Sequence, residues 1–166
     1  MTGNTKTSTG VKTILVLLLT ALPVAVIDQL TKVWTIRSLH FHEVKEIIPG
    51  FFNLVHARNP GVAFSLFAGF DERWVRPFLT IVTVLAIGGL LVASRSLSGK
   101  WYGRLGLGLV VGGAVGNLID RVKLGYVIDF IDICLGRFHW PVFNIADIGI
   151  TVGIFLLASD MIFENK

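Results

Sequence analysis

Charge is scarce in this chain and cysteine is nearly absent. Only 16% of residues are Asp, Glu, Lys or Arg, against about 25% in an ordinary soluble domain, whereas 53% are hydrophobic and mean hydropathy is +0.72. That balance excludes a conventional water-soluble fold and indicates a polytopic membrane protein. A single cysteine, Cys134, rules out an internal disulfide. No Cys/His spacing reads as a zinc site. His40 and His42 share at most one strand face, and two isolated imidazoles in a loop fall short of a zinc ligand set. The 15 basic residues are scattered rather than massed into an arm or stripe, which argues against a nucleic-acid partner.

What is present is a series of apolar runs. The 166 residues suit a single membrane domain, with residues 1–10 read as a loose polar N-terminus. Thr13 to Ile27 carries no charge but is shorter than the ~20 residues a spanning helix needs, so the first span continues through Asp28 and Lys32 to Trp34. Asp28 and Lys32 are four apart, acid first, and can pair on one helix face. Lys12 ahead of an apolar run resembles a secretory signal. No small-x-small cleavage site follows and further apolar runs do, so the segment is read as a retained anchor. Pro77 to Ser94 is the second span, with proline at its start. The third runs from about Leu105 to Ile119, and the fourth from near Pro141 to near Phe163.

Residues 37–73 form the one long polar section, expected outside the membrane. Phe51 to Ala57 has the aromatic and β-branched content of a strand, Asn59-Pro60-Gly61-Val62 fits a type II turn, and Val62 to Leu66 reads as a return strand. The fold class expected is therefore all-α and integral to the membrane: four transmembrane helices, a small extracytoplasmic β-hairpin or sheet insert, and an interfacial segment before the last helix. The short loop carrying Arg95, Lys100 and Arg104 is dense in basic residues and sets both termini on the cytoplasmic side.

Against this background, the polar groups between Asn117 and Asp147 stand out. Gly108, Gly112 and Gly116 recur every four residues, the close-packing signature of helices in lipid. The same step of four leads to Asp120, and Asn117 and Arg121 lie on the adjoining row. Asn144 and Asp147, three apart, share a face of the fourth span. Asp129 and Asp132 lie in a connection so apolar that it is expected along the membrane interface. Asp129 can thus approach Asp147. Two partly desolvated carboxylates cannot both ionise easily and tend to share one proton, so that one can take a proton from water while the other donates to a carbonyl.

Each piece has a plainer reading. Asp120 beside Arg121 reads as a structural ion pair, Asn59-Pro60-Gly61 as a turn, Asn144 as an N-cap or helix-helix hydrogen-bond donor, and Asp132 as a solvated or capping carboxylate. Asp147 resists such a reading, because it lies inside a needed span with no basic residue within one helical turn.

Five stretches together resemble the lipoprotein signal peptidase family, the type II signal peptidases of bacteria. They are Asp28-Gln29-Leu30-Thr31-Lys32, Arg58-Asn59-Pro60-Gly61-Val62-Ala63-Phe64, Gly116-Asn117-Leu118-Ile119-Asp120-Arg121, Val127-Ile128-Asp129-Phe130 and Phe143-Asn144-Ile145-Ala146-Asp147. The resemblance implies an integral-membrane aspartic endopeptidase that needs no metal or cofactor, with Asp129 and Asp147 as catalytic residues. Asp28, Lys32, Asn59, Gly61, Asn117, Asp120, Arg121 and Asn144 would bind substrate or support the site. It further implies diacylglyceryl-modified prolipoproteins as substrates, cut before the lipidated cysteine, with membrane lipid and the inhibitor globomycin as partners. The location implied is the bacterial inner membrane, with the site near the outer face. Other intramembrane aspartic proteases carry Gly-x-Gly-Asp, which is absent; Gly125 to Asp129 does not match it. The alternative is a small proton-coupled transporter with Asp28, Asp120 and Asp147 as a relay, or a non-enzymatic assembly subunit packing through the glycine face.

Overall fold

In the computed structural model, which describes residues 4–61, 72–93 and 100–163, the apolar runs form helices α1 (Asn4–Ser38), α2 (Glu72–Ala93), α3 (Trp101–Lys123) and α4 (Ile145–Ile162). All four are long and apolar enough to cross a membrane. Between them lie strands β1 (Val44–Ile48), β2 (Phe52–Asn59), β3 (Val127–Leu135) and β4 (Phe138–His139), which form one antiparallel sheet in that order. The expected class, a four-helix membrane protein with a small sheet, is the one observed.

Helix α3 sits at the centre, packed against α1, α4 and α2. Its glycines explain how. A Cβ at Gly112 would lie 2.5 Å from the Ala21 carbonyl oxygen of α1, and one at Gly106 would lie 2.8 Å from the Gly153 carbonyl oxygen of α4. Gly113 likewise abuts the Ala146 backbone. Without a hydrophobic driving force between helices in lipid, such backbone proximity is what secures their packing. The outward faces, with Leu18, Leu19 and Leu22 on α1, Phe78, Ile81 and Leu85 on α2, and Phe155 on α4, are exposed and suit contact with hydrocarbon.

The structure revises several local expectations. Helix α1 starts at Asn4, so helix occupies most of the stretch read as a loose N-terminus; once a helix is nucleated, extending it through polar residues is cheap. Helix α2 begins at Glu72, which places Pro77 inside it rather than at its start. Only near a helix N-terminus does a proline cost so little, because few N–H groups there have partners. The return strand Val62–Leu66 lies outside the described residues. Among the described residues, strand β2 pairs with β1 on one side and β3 on the other.

Residues 127–139, the segment expected along the interface, take the form of strands β3 and β4, which sequence alone did not indicate. Val127, Ile128, Ile131 and Ile133 are β-branched, and both faces of β3 are largely buried, so it shows a near-continuous apolar run rather than strict alternation. Pairing along β2 sets Asp129 opposite Ala57 and Val127 opposite Asn59. The chain before α4 joins the same strand: the Phe143 carbonyl accepts from the N–H groups of Phe130 and Ile131 at 3.0 and 2.8 Å. Sheet and helix are thereby fixed to each other at the point where the polar residues gather.

Candidate active site

Asn144 is the residue from which the site is built. Its backbone is extended (φ −134°, ψ −178°) and it caps α4. The Asn144 Oδ1 accepts from the Asp147 N–H at 3.0 Å, and Asp147 Oδ2 accepts from the Asn144 N–H at 3.2 Å, so the two close a reciprocal capping box. The Asn144 amide nitrogen then donates to Asp129 Oδ1 at 2.6 Å. One buried residue thus starts the helix, holding the Asp147 carboxylate through its backbone N–H and the Asp129 carboxylate through its side-chain amide.

Two further amides complete the enclosure. Asn59, at the end of β2, donates from Nδ2 to Asp129 Oδ2 at 3.0 Å, while its Oδ1 accepts from Gly61 N–H at 2.9 Å. Gly61 has φ +99°, the left-handed geometry expected of a glycine in this turn. Asn117 of α3 donates from Nδ2 to Asp147 Oδ1 at 2.8 Å. Asp129 is buried and Asp147 half-buried, so water reaches the pair from the Asp147 side.

Burial, reinforced by the nearby Asp147 charge, pushes the Asp129 carboxyl up to about 7, against the lowering effect of the Asn59 and Asn144 amides. At neutral pH this carboxyl holds a proton for much of the time. An acid beside a second carboxylate, with water access, can perform general acid–base chemistry on an amide bond.

Beneath the pair lies a buried ionic layer. The Lys32 ammonium contacts Asp28 Oδ2 at 2.8 Å, Asp120 Oδ2 at 2.9 Å and Asn117 Oδ1 at 2.9 Å. Asp28 Oδ1 accepts from the Ala146 N–H at 2.9 Å, and Asp120 Oδ2 from the Ile128 N–H at 3.1 Å. The layer therefore holds the start of α4 and the start of β3 to α1 and α3.

The matching family model is signal peptidase II, over residues 20–163. The lipoprotein signal peptidase of Geobacter metallireducens is 44% identical over 142 residues, covering 85% of this chain and 86% of that one. That of Syntrophus aciditrophicus is 41% identical over 156 residues, covering 93% and 97%. A solved structure described as a bacterial membrane enzyme, determined by the in meso method at 1.9 Å resolution, superposes with a TM-score of 0.76 at 30% identity over 92% of this chain and 93% of that one. The chain belongs to the signal peptidase II family. Its activity is that of a lipoprotein signal peptidase, a protease of the aspartic class, and it is a multi-pass membrane protein.

In this signal peptidase II fold, all the residues singled out from sequence except Asp132 and the two loop histidines converge on one region. Asp28, Lys32, Asn117 and Asp120 form the ionic layer; Asn59, Asn144, Asp129 and Asp147 form the enclosure above it. Asp120, read from sequence as the partner of Arg121, instead pairs with Lys32. Arg121 faces the negative field of Asp147, Asp129 and Asp120, and its buried Nε has no hydrogen-bond partner among the described residues. Asp132 is not solvated: it is buried, and accepts from Asn53 Nδ2 at 2.8 Å beside His139 Nδ1 at 2.9 Å. Burial raises the Asp132 carboxyl, but the bonds from Asn53 and His139 outweigh it and hold it below its ordinary value. His40 and His42 are exposed.

Sequence reasoning overlooked Gln29, whose Nε2 donates to Asp120 Oδ1 at 2.8 Å and to the Gly116 carbonyl at 3.1 Å. Its three-residue spacing from Lys32 was the available signal. The Asn53–Asp132–His139 cluster had no such signal, because it depends on the pairing of Asn53 with Asp132 across β2 and β3.

Proposed function

We propose that the chain, acting as one membrane domain, cleaves diacylglyceryl-modified prolipoproteins just before the lipidated cysteine, with Asp147 as general base and Asp129 as general acid. The single observation that carries this reading is the enclosure of two carboxyls by Asn59, Asn117 and Asn144, with the strand carboxyl raised to about 7. Asp147 takes a proton from water as the water oxygen bonds to the scissile carbonyl carbon, and Asp129 gives its proton to the carbonyl oxygen. In the second half, Asp147 protonates the leaving nitrogen as the C–N bond breaks. Asp129 takes back a hydroxyl proton as the new carboxyl forms. Both residues end in their starting states.

Arg121, with an unsatisfied buried Nε, is placed to donate to a backbone or ester carbonyl of the substrate, and Asn59 and Gly61 shape the turn at the end of β2. A substrate whose acyl chains and signal helix lie in the bilayer suits a site where the sheet meets the helix ends. Both chain termini are assigned to the cytoplasm and the site to the outer face of the bacterial inner membrane, with membrane lipid as surroundings and globomycin-type cyclic peptides as inhibitors.

The test is to incubate purified Asp129→Asn and Asp147→Asn variants with a lipidated precursor peptide. Each is expected to lose at least 100-fold in processing while remaining folded, in line with general acid–base contributions of about 10²–10⁴. Processing at the wild-type rate by either folded variant overturns the two-aspartate mechanism. Proton flux into liposomes in the absence of cleavage would support the transporter reading instead.

A further inference from the structure

A buried lysine that contacts neither carboxyl of the pair nevertheless governs how one of them is bonded. Lys32 offers only N–H donors, and its Nζ lies 2.9 Å from Asn117 Oδ1. Asn144 Nδ2 approaches the same oxygen at 3.2 Å. An amide oxygen held by two donors cannot also face Asp147. The amide is therefore compelled to turn its N–H side to Asp147 Oδ1, at 2.8 Å. In the opposite orientation, Asn117 would aim an N–H at an ammonium and an oxygen at a carboxylate, two repulsive contacts in a site where Lys32 and Asn117 are 2% and 5% exposed.

We propose that Lys32 is a positioning residue for the peptidase reaction: by fixing the Asn117 amide, it keeps an N–H donor, rather than an oxygen, on the Asp147 carboxylate that activates water. The inference rests on the two-aspartate reading above. Asp28 and Asp120 hold the Lys32 ammonium in place from α1 and α3, so the ionic layer is coupled to the reacting pair through one amide. Arg121 of α3 and Asp129 of β3 interact electrostatically with Asp147, while Asp28 and Lys32 of α1 and Asp120 of α3 form the ionic layer joined to it through Asn117. Of these, Lys32 is the one whose side chain hydrogen-bonds the amide that donates to Asp147. If its effect were simply a positive charge acting through space, removing Asn117 would not abolish it.

The experiment measures kcat/KM against pH for precursor processing in four proteins: Asp120→Asn, Lys32→Met with Asp120→Asn, Asn117→Leu with Asp120→Asn, and all three substitutions together. Asp120→Asn is the common background, because removing Lys32 alone leaves two buried carboxylates uncompensated. Adding Lys32→Met is expected to move the acid limb upward by about one pH unit, which is a tenfold loss on that limb, with the thermal midpoint recorded in parallel. Adding Asn117→Leu should give a similar shift. In the triple variant, Lys32→Met should add nothing further, the non-additivity of residues acting in one chain.

A Lys32→Met effect that lowers the whole profile without moving its acid limb would make the lysine a structural brace and overturn the proposal. So would a limb shift of equal size with and without Asn117, which would show direct Coulombic action. Full activity of Asp147→Asn would overturn the underlying two-aspartate reading instead, so the two failures are distinguishable.

Discussion

Replacing Asn144 separates its two structural duties, capping α4 and donating to Asp129. In Asn144→Ala both are lost. Loss of an asparagine N-cap costs about 1 kcal/mol. The Nδ2 donor also serves Asp129 Oδ1 at 2.6 Å and the Ile128 carbonyl at 3.3 Å, both buried. Leaving buried acceptors without partners costs about 1–3 kcal/mol each, so a total of about 3–7 kcal/mol is expected for the Ala variant. In Asn144→Ser the hydroxyl can still cap the helix, and the variant should recover about 1 kcal/mol of that loss. Neither variant supplies the amide donor. The bond from Asn144 favours the charged form of Asp129, so its removal makes that carboxyl a weaker acid. The group titrating near pH 7 must be protonated to act as general acid; its limb is the alkaline one, and it should move upward by a similar amount in Ser and Ala. Thermal unfolding in a fixed detergent measures the first effect, and the pH dependence of kcat/KM on a lipidated peptide the second. An alkaline limb that stays put in Asn144→Ser, or moves down, refutes the claim that this amide sets the state of Asp129.

Other substitutions test the surrounding structure. Gly112→Ala would place its methyl 2.5 Å from the Ala21 carbonyl oxygen, forcing α1 and α3 apart; overpacking of this kind costs about 1–3 kcal/mol, readable as a lower midpoint of thermal unfolding. Asp132→Ala leaves the buried Asn53 amide without its carboxylate partner, and should cost about 1–3 kcal/mol with activity less affected than stability. Asp132 lies below its ordinary value in the folded protein, so its contribution to stability is present above pH 3.8 and is lost as pH falls through the folded value, a loss that Asp132→Asn should remove. Asp129 has the opposite sign. Its folded value of about 7 exceeds the ordinary 3.8, so the folded state binds the extra proton between those values and stability declines as pH rises across them. Asp129→Asn should flatten that decline in unfolding midpoints taken from pH 4 to 8.

The helices were legible because span length and the glycine spacing are local properties, readable without knowing any partner. The pairing of Asp28 with Lys32 was legible for the same reason, as an i,i+4 relation on one helix. The Asp120–Lys32 contact was not, since it joins α1 to α3 and overrides the sequence neighbour Arg121. Strand β3 was missed because its Val127–Leu135 run is buried on both faces, and an apolar run of that length gives no period-two signal when both faces are covered. The pairing of β2 with β3, some 70 residues further along the chain, was not legible either, because it joins segments distant in sequence. Local turn chemistry identifies where a strand ends, but cannot identify which strand it meets.

The same distinction accounts for the asymmetry of the two carboxyls. Asp147 lies in the first turn of α4, and its Oδ2 completes the cap. Asp129 lies within a paired strand, buried on a sheet that offers it side-chain amides but no backbone N–H donor among the described contacts. A helix start supplies free N–H groups to an acceptor, whereas the N–H groups of a strand interior are committed to the ladder. Two residues of identical chemistry thus occupy environments that differ because their secondary structures differ, and the proposed division into an acid and a base rests on that difference. Exchanging the roles would require moving the helix start, which no single substitution at either aspartate can do. Asp147→Glu, which lengthens the side chain at the cap, should therefore disturb the capping box and the reaction together. Asp129→Glu should impair the reaction with little effect on α4, a contrast that amide hydrogen exchange in residues 145–149 can measure alongside processing.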